Sequence, residues 1–316
     1  MRALPLAALL CGSWLSLPAL ASVDASQWLD RIDRAEQQRS YQGTFVYERS
    51  GSFSTHAIWH RASAGRVMER VLQLDGLAQE ALRVDGRTQC ATASPQSSAG
   101  VSAGDARLYD ALKLMNWYDL KVAGESRVAG RPAVVIMLTP KDRDRYALEL
   151  HLDRETALPL KSLLLNASGQ LLERFQFTRF VTEAPTDTDL KPGQDCLAVV
   201  ASAAAPGKAA PAAWRAEWLP PGFEMVSNGA YQDEQGARVS RMLFDDGLAK
   251  FSVFVEAASG PQAADARTQL GPTAAVSRRV NSGEGDVMVT VVGEIPMGTA
   301  ERIALGIRAQ SGPVRQ

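Results

Sequence analysis

The chain has 316 residues, 46% of them hydrophobic, and its 34 Lys and Arg nearly balance its 35 Asp and Glu. That length accommodates one large domain or two ordinary ones. Basic and acidic residues are interleaved throughout, which excludes the concentrated basic surface that nucleic-acid binding requires.

Residues 1–21 read as an export signal. Arg2 forms a short positive n-region, Leu4 to Leu17 an apolar core too short to span a bilayer, and Ala19-Leu20-Ala21 a small-x-small cleavage site. Cys11 follows Leu9-Leu10 rather than the small residue a lipoprotein signal needs, so the expected mature chain starts at Ser22 and is periplasmic. Removing the signal leaves Cys90 and Cys196. In an oxidising compartment they can pair, closing a long loop worth on the order of 4–5 kcal/mol, or stand as two separate buried thiols.

Residues 26–39 predict an amphipathic helix: Trp28, Leu29, Ile32 and Ala35 share a face, and Asp24 or Ser26 can cap it. Strands follow. Tyr41–Arg49 and Phe53–Arg61 flank Ser50-Gly51-Ser52, a hairpin turn. Strand patterns continue at Arg66–Leu74, Glu80–Val84, Trp117–Val122, Ala133–Leu138, Tyr146–Leu152, Leu160–Leu165 and Leu171–Phe180. Asp75-Gly76, Asp85-Gly86, Gly130 and Ser168-Gly169 punctuate them. Short sequential strands with tight turns predict an antiparallel meander that curls into a barrel or half-barrel. Ala91–Gly104 reads as a surface loop. The Ala- and Pro-rich stretch from Ala184 to Ala213 marks a linker. The expected organisation is a signal over 1–21, a large β domain over 22–190, a linker over 191–213 and a small α+β domain over 214–316. In the last, Arg241–Glu256 alternates around Asp245-Asp246-Gly247 as a hairpin, and Val287–Ile303 gives a β-branched strand, a Gly-Glu-Ile-Pro break and a helix start.

A search for chemistry finds little. His56 and His60 lie four apart on one strand, roughly 13 Å by strand rise, too far to share a metal. His151 beside Glu149 reads as a solvated or satisfied pair. His-Glu-x-x-His, a phosphate-cradling glycine loop and Cys-x-x-Cys are all missing from the sequence. No catalytic residue, metal ligand or cofactor is therefore assigned. The run Lys141-Asp142-Arg143-Asp144-Arg145 reads as a solvated turn, with a guanidinium platform for lipid phosphates as the alternative.

Longer strings carry more. Tyr41-Gln42-Gly43-Thr44-Phe45-Val46-Tyr47 follows a Trp-containing helix. Ala129-Gly130-Arg131-Pro132, Pro140-Lys141-Asp142, Arg145-Tyr146, Leu152-Asp153, Leu158-Pro159-Leu160-Lys161-Ser162 and Leu172-Glu173-Arg174-Phe175-Gln176-Phe177 come next in unbroken order. Trp218-Leu219-Pro220-Pro221-Gly222-Phe223 opens the small domain. In this order, together with Arg241–Glu256 and Val287–Ile303, the strings resemble the RseB/MucB family of periplasmic regulators of the envelope-stress sigma factor.

The resemblance implies a large domain like that of periplasmic lipoprotein carriers, the LolA-like half-open antiparallel barrel wrapped around a helix. It implies a non-enzymatic negative regulator that binds the periplasmic domain of a membrane-spanning anti-sigma factor of the RseA/MucA kind. Binding would protect that partner from proteolysis, and lipid A or acyl chains would release it. A periplasmic lipid or lipoprotein carrier is the alternative, and a homo-oligomer is compatible with either. Candidate groove residues are Trp28, Phe45, Trp59, Met137, Leu150, Leu164 and Phe175, against the plainer reading that each is ordinary core. Candidate partner contacts are Asp245, Asp246, Lys250, Glu294 and Arg302, with the edge strands of the small domain as a further place for strand addition.

Overall fold

The computed structural model describes residues 24–92, 111–199, 213–233, 236–258, 264–282 and 285–310. The expected export signal lies outside them. Among the described residues the first element is helix α1 (Ala25–Gln38), whose apolar spacing puts Ala25, Trp28, Leu29, Ile32 and Ala35 on its buried face. Neither expected side chain caps it: Asp24 offers only its backbone carbonyl to Gln27, and Ser26 lies inside the helix.

Five strands follow in a meander: β1 (Tyr41–Arg49), β2 (Ser52–Ser63), β3 (Arg66–Gln73), β4 (Glu80–Val84) and β5 (Arg87–Ala91). A short helix α2 (Ala111–Trp117) leads into β6 (Tyr118–Val128), β7 (Arg131–Pro140), β8 (Ala147–Asp153), β9 (Pro159–Leu165) and β10 (Leu171–Val181). A two-residue strand β11 (Leu197–Ala198) ends the series. They form one eleven-stranded sheet in the order β11-β5-β4-β3-β2-β1-β10-β9-β8-β7-β6. Its end strands β11 and β6 do not pair, so the sheet wraps without closing. Helix α1 packs on the inner face, against Val134, Ile136 and Leu138 of β7 and Leu148, Leu150 and Leu152 of β8. Ala35 meets a second cluster built on Tyr41, Phe45, Phe175, Phe177 and Phe180.

The large domain runs further than expected. Residues 191–199, assigned to the linker, are tied to it: Cys196 is bonded to Cys90, and Leu197 pairs with Ala91 at the sheet edge. The first residue of the expected Ala91–Gly104 loop closes β5, and 93–110 lie outside the described residues.

The small domain comprises β12 (Trp214–Ala216), β13 (Glu224–Gln232), β14 (Arg238–Asp245), β15 (Lys250–Ala257), β16 (Ala266–Leu270), β17 (Thr273–Asn281), β18 (Asp286–Gly293), α3 (Met297–Leu305) and β19 (Ile307–Ala309). Six strands form a sheet in the order β13-β14-β15-β18-β17-β16, and β12 pairs with β19. Alternation places Phe251, Val253 and Val255 of β15 and Val289 and Val291 of β18 in a core closed by Ala300, Ile303 and Ala304 of α3. The β14–β15 hairpin forms as the sequence indicates, with Asp245 opposite Lys250.

Candidate functional site

Two places gather polar side chains in unusual settings: the junction between the domains, and a cavity at the far end of β1. The junction grows from the Lys141–Arg145 run. Arg145 is neither solvated nor a surface platform. Its side chain is 0% exposed and its guanidinium donates to Asp246 Oδ2 (2.7 Å), Asp142 Oδ1 (3.2 Å) and the Pro221 carbonyl (2.5 Å). The rings of Trp117, Tyr118 and Phe223 surround it at 5.2–5.8 Å. Asp246 is equally enclosed: its Oδ1 accepts the Leu248 and Ala249 amides at 2.8 and 2.7 Å. Burial pushes the Asp246 carboxyl up, against the pull of those two amides and of Arg145. With every acceptor position met by a donor, this is a paired and fully hydrogen-bonded ion pair, the form in which buried charge is tolerated.

Apolar and neutral contacts extend the junction. Leu248, in the turn after Asp246, is buried among Leu114, Tyr118 and the other core residues of the large domain. That burial is worth roughly 1.5–3 kcal/mol. Tyr146 donates to the Ile295 carbonyl (3.0 Å) and its hydroxyl is pushed up to about 12, chiefly by burial. Thr299, in the first turn of α3, donates to Asp144 Oδ1 (3.0 Å). Arg49, at the end of β1, bridges Glu173 (2.9 Å) and Glu294 (3.0 Å).

These contacts bear on the expected partner surface. Asp246 and Glu294 are engaged between the domains, so they are not free surface in this structure. Asp245 accepts the Gly247 amide and pairs with Lys250 at 3.4 Å. Lys250 and Arg302 are exposed, the latter stacked over Trp218 at 3.6 Å. The expected groove residues scatter likewise. Trp28, Phe45, Leu150 and Phe175 are packed core, and Leu164 packs against it. Trp59 and Met137 lie out of phase with the core positions of their strands: Arg70 stacks on Trp59 at 4.7 Å, and Met137 stands opposite Glu149. The seven therefore form no common groove, because a sequence pattern of apolar positions does not distinguish a packed interior from a vacant one.

The cavity lies elsewhere, about 640 Å³ between the last turn of α1 and the inner faces of β1–β4. Glu36, Tyr41, His60, Val67, Glu69 and Arg83 are among its lining, and none of the seven groove candidates is. The His60 ring stacks on Tyr41 with centroids 4.6 Å apart, and its Nε2 lies 2.8 Å from the Glu36 carbonyl. Glu69 faces His60 Nδ1 (3.5 Å) and accepts from Arg83 (3.3 Å). Sequence reasoning missed this group, although a signal was present: Glu69 sits in phase with buried Val71, so it is a charge pointing inward.

His56 and His60 stack on different rings, Phe45 and Tyr41, as two separate buried histidines. No cluster of three metal-ligating side chains occurs among the described residues. His151 bonds Glu149 (2.7 Å) and Ser126 (2.7 Å), one through each ring nitrogen, and burial holds its pKa below the ordinary range. Both nitrogens are thus satisfied on the sheet face turned away from Leu148, Leu150 and Leu152.

Comparison with known proteins finds two family models that match the chain in turn. The MucB/RseB N-terminal domain model matches residues 24–194, and the MucB/RseB C-terminal domain model matches 208–308. The sigma factor AlgU regulatory protein MucB of Pseudomonas aeruginosa is 54% identical over 96% of both chains. The sigma-E factor regulatory protein RseB of Escherichia coli K12 is 27% identical over 95% of this chain and 96% of its own. The crystal structure of MucB in complex with MucA(peri), 52% identical, superposes with a TM-score of 0.80 over 92% of this chain and 100% of that one. Another MucB crystal structure, 53% identical over 92% and 99%, gives 0.69. Both domain models in order and a relative alike from end to end establish that this chain belongs to the MucB/RseB family.

Proposed function

We propose that this chain is a periplasmic negative regulator of an envelope-stress sigma factor. It binds the periplasmic segment of a membrane-spanning anti-sigma factor, shields that segment from proteolysis, and is released by a lipid such as lipid A or its acyl chains. The carrying observation is the end-to-end likeness to MucB, a fold that superposes on MucB in its complex with MucA(peri). A lipid releases the partner only if it binds the partner-free state more tightly than the bound one.

Partner contacts on the small domain fall to groups outside the junction. Lys250 and Arg302 are exposed, and β13 is an edge strand on which every residue but Asn228 is exposed, Met225, Val226 and Tyr231 included. Such an edge can accept an extended peptide by strand addition. The test is a pull-down of the mature protein with the periplasmic segment of the anti-sigma factor from the same genome, repeated with lipopolysaccharide. Capture that lipid abolishes supports both binding and release. Capture that lipid leaves untouched removes the lipid step, and failure of capture removes the regulator.

A further inference from the structure

The chain leaves the large domain as a strap, residues 185–199, laid across β2, β3, β4 and β5. Trp59, Arg70, Leu82 and Cys90 stand opposite one another on those four strands, so they share a face. It is the face turned away from the buried Ile58 and Val71. The strap is fastened to it strand by strand. Arg61 of β2 pairs with Asp187 (2.7 Å), and Arg70 of β3 donates to the Asp189 carbonyl (2.8 Å). Glu80 of β4 accepts the Gly193 amide (2.9 Å), and Cys90 of β5 is bonded to Cys196. Beyond Gly193 the non-covalent hold is slight: the two residue pairs of β11 and the Val199 amide on the Gln89 carbonyl (2.9 Å). The covalent bond thus sits where the strap is otherwise weakest.

The two sulfurs are unequally reachable. Cys90 is 7% exposed, whereas Cys196 is half-buried in a stretch where residues 193–195 and 197–198 are exposed. Leu197, beside it, is 68% exposed. β11 is also the end strand of its sheet, so its outer edge is open to an extended partner backbone. An accessible sulfur, a free strand edge and an apolar side chain are what a disulfide-exchanging protein needs to dock. We propose that Cys90–Cys196 is a thiol-exchange site, attacked at Cys196 Sγ by a dithiol oxidoreductase docked on Leu197, and that its opening frees residues 193–199 from the sheet. The reductant's thiolate forms a mixed disulfide with Cys196, and the Cys90 sulfur leaves and takes up a proton. The reductant's second thiol then displaces Cys196, so the protein gains two thiols and the reductant becomes a disulfide. Strands β1–β4 keep their own pairing throughout, because none of it passes through the strap. The inference is independent of what the small domain binds.

Hydrogen exchange of the mature protein, read by mass spectrometry before and after reduction, tests it with two reductants: dithiothreitol and a reduced thioredoxin-type protein. Both are expected to release two thiols per chain without urea and without loss of near-ultraviolet circular dichroism. Exchange over 193–199 is expected to quicken about tenfold or more while β1–β3 stay unchanged, the pattern of a local release. The Cys90→Ser/Cys196→Ser double variant is expected to show the same exchange with no reductant, and the dithiothreitol arm reads the point even if that variant does not fold. Leu197→Asp, at an exposed position, is expected to slow reduction by the thioredoxin-type protein about tenfold and leave the dithiothreitol rate alone, since only the protein reductant buries that side chain. Reduction that proceeds only at unfolding urea concentrations overturns the proposal, as does a reduced chain whose 193–199 amides stay protected or whose whole large domain unfolds. Equal reduction of Leu197→Asp and wild type by the protein reductant also overturns it.

Discussion

At the domain junction Arg145 directs its guanidinium to Asp246, Asp142 and the Pro221 carbonyl, and Asp246 meets two backbone amides as well. At the other end of β1, Glu36 and Tyr41 line a cavity with no comparable partners. The two regions use the same kinds of side chain in opposite states. Buried polarity that is paired holds two domains in one arrangement, whereas buried polarity left unpaired costs desolvation without a compensating bond. The contrast makes opposite demands on mutation. Removing a junction group strands its partner, and removing a cavity group relieves a strain.

Arg145→Ala breaks the contrast most severely. It leaves Asp246 buried without its cation, and urea unfolding is expected to show a loss of about 3–5 kcal/mol. A loss below 1 kcal/mol would mean the junction opens readily to water. Gly222→Ala tests the same junction by shape. Gly222 has φ +89°, and a Cβ there would stand 2.2 Å from the Trp117 indole beside Arg145, so about 2–3 kcal/mol is expected to be lost.

Glu36→Gln works in the opposite direction. The native state holds a proton on Glu36 up to about pH 8, whereas the unfolded chain releases it near 4.5, so stability falls as pH rises between those values. The variant is expected to lose that slope and to gain on the order of 1–2 kcal/mol above pH 8, measured as unfolding midpoints across pH. A wild-type curve flat from pH 5 to 9 would contradict it. The smallest effect belongs to Lys113→Ala, which deletes a 3.2 Å bridge to exposed Glu224 across the junction. A change under about 1 kcal/mol, shrinking further in salt, is expected by the same unfolding assay.

Much of the fold was legible. The period of α1 and the alternation and turn residues of the meander predicted most strands of the large domain within a few residues, because those signals are local. The omissions include short or edge elements such as α2 and β11, which depend on contacts distant in sequence, and in the small domain the nine-residue interior strand β17. Arg145 and Asp246 each sit in what reads locally as a charged turn, and only folding joins two residues 101 positions apart. The cavity was obscured differently. Tyr41, His60 and Glu69 lie in phase with core residues of their strands, so an inward charge was visible, but not that it would remain without a full set of partners.

The Cys90–Cys196 bond fixes where the tether to the small domain begins. With β11 anchored beside it, the chain between Val199 and Ala213 comprises residues 200–212. At full stretch such a segment reaches no more than about 50 Å. If the junction opens, the small domain stays on this leash at an effective concentration in the millimolar range, so its return is intramolecular. A competitor for the exposed junction must outbid that local concentration, which sets a high threshold for any opening that lasts.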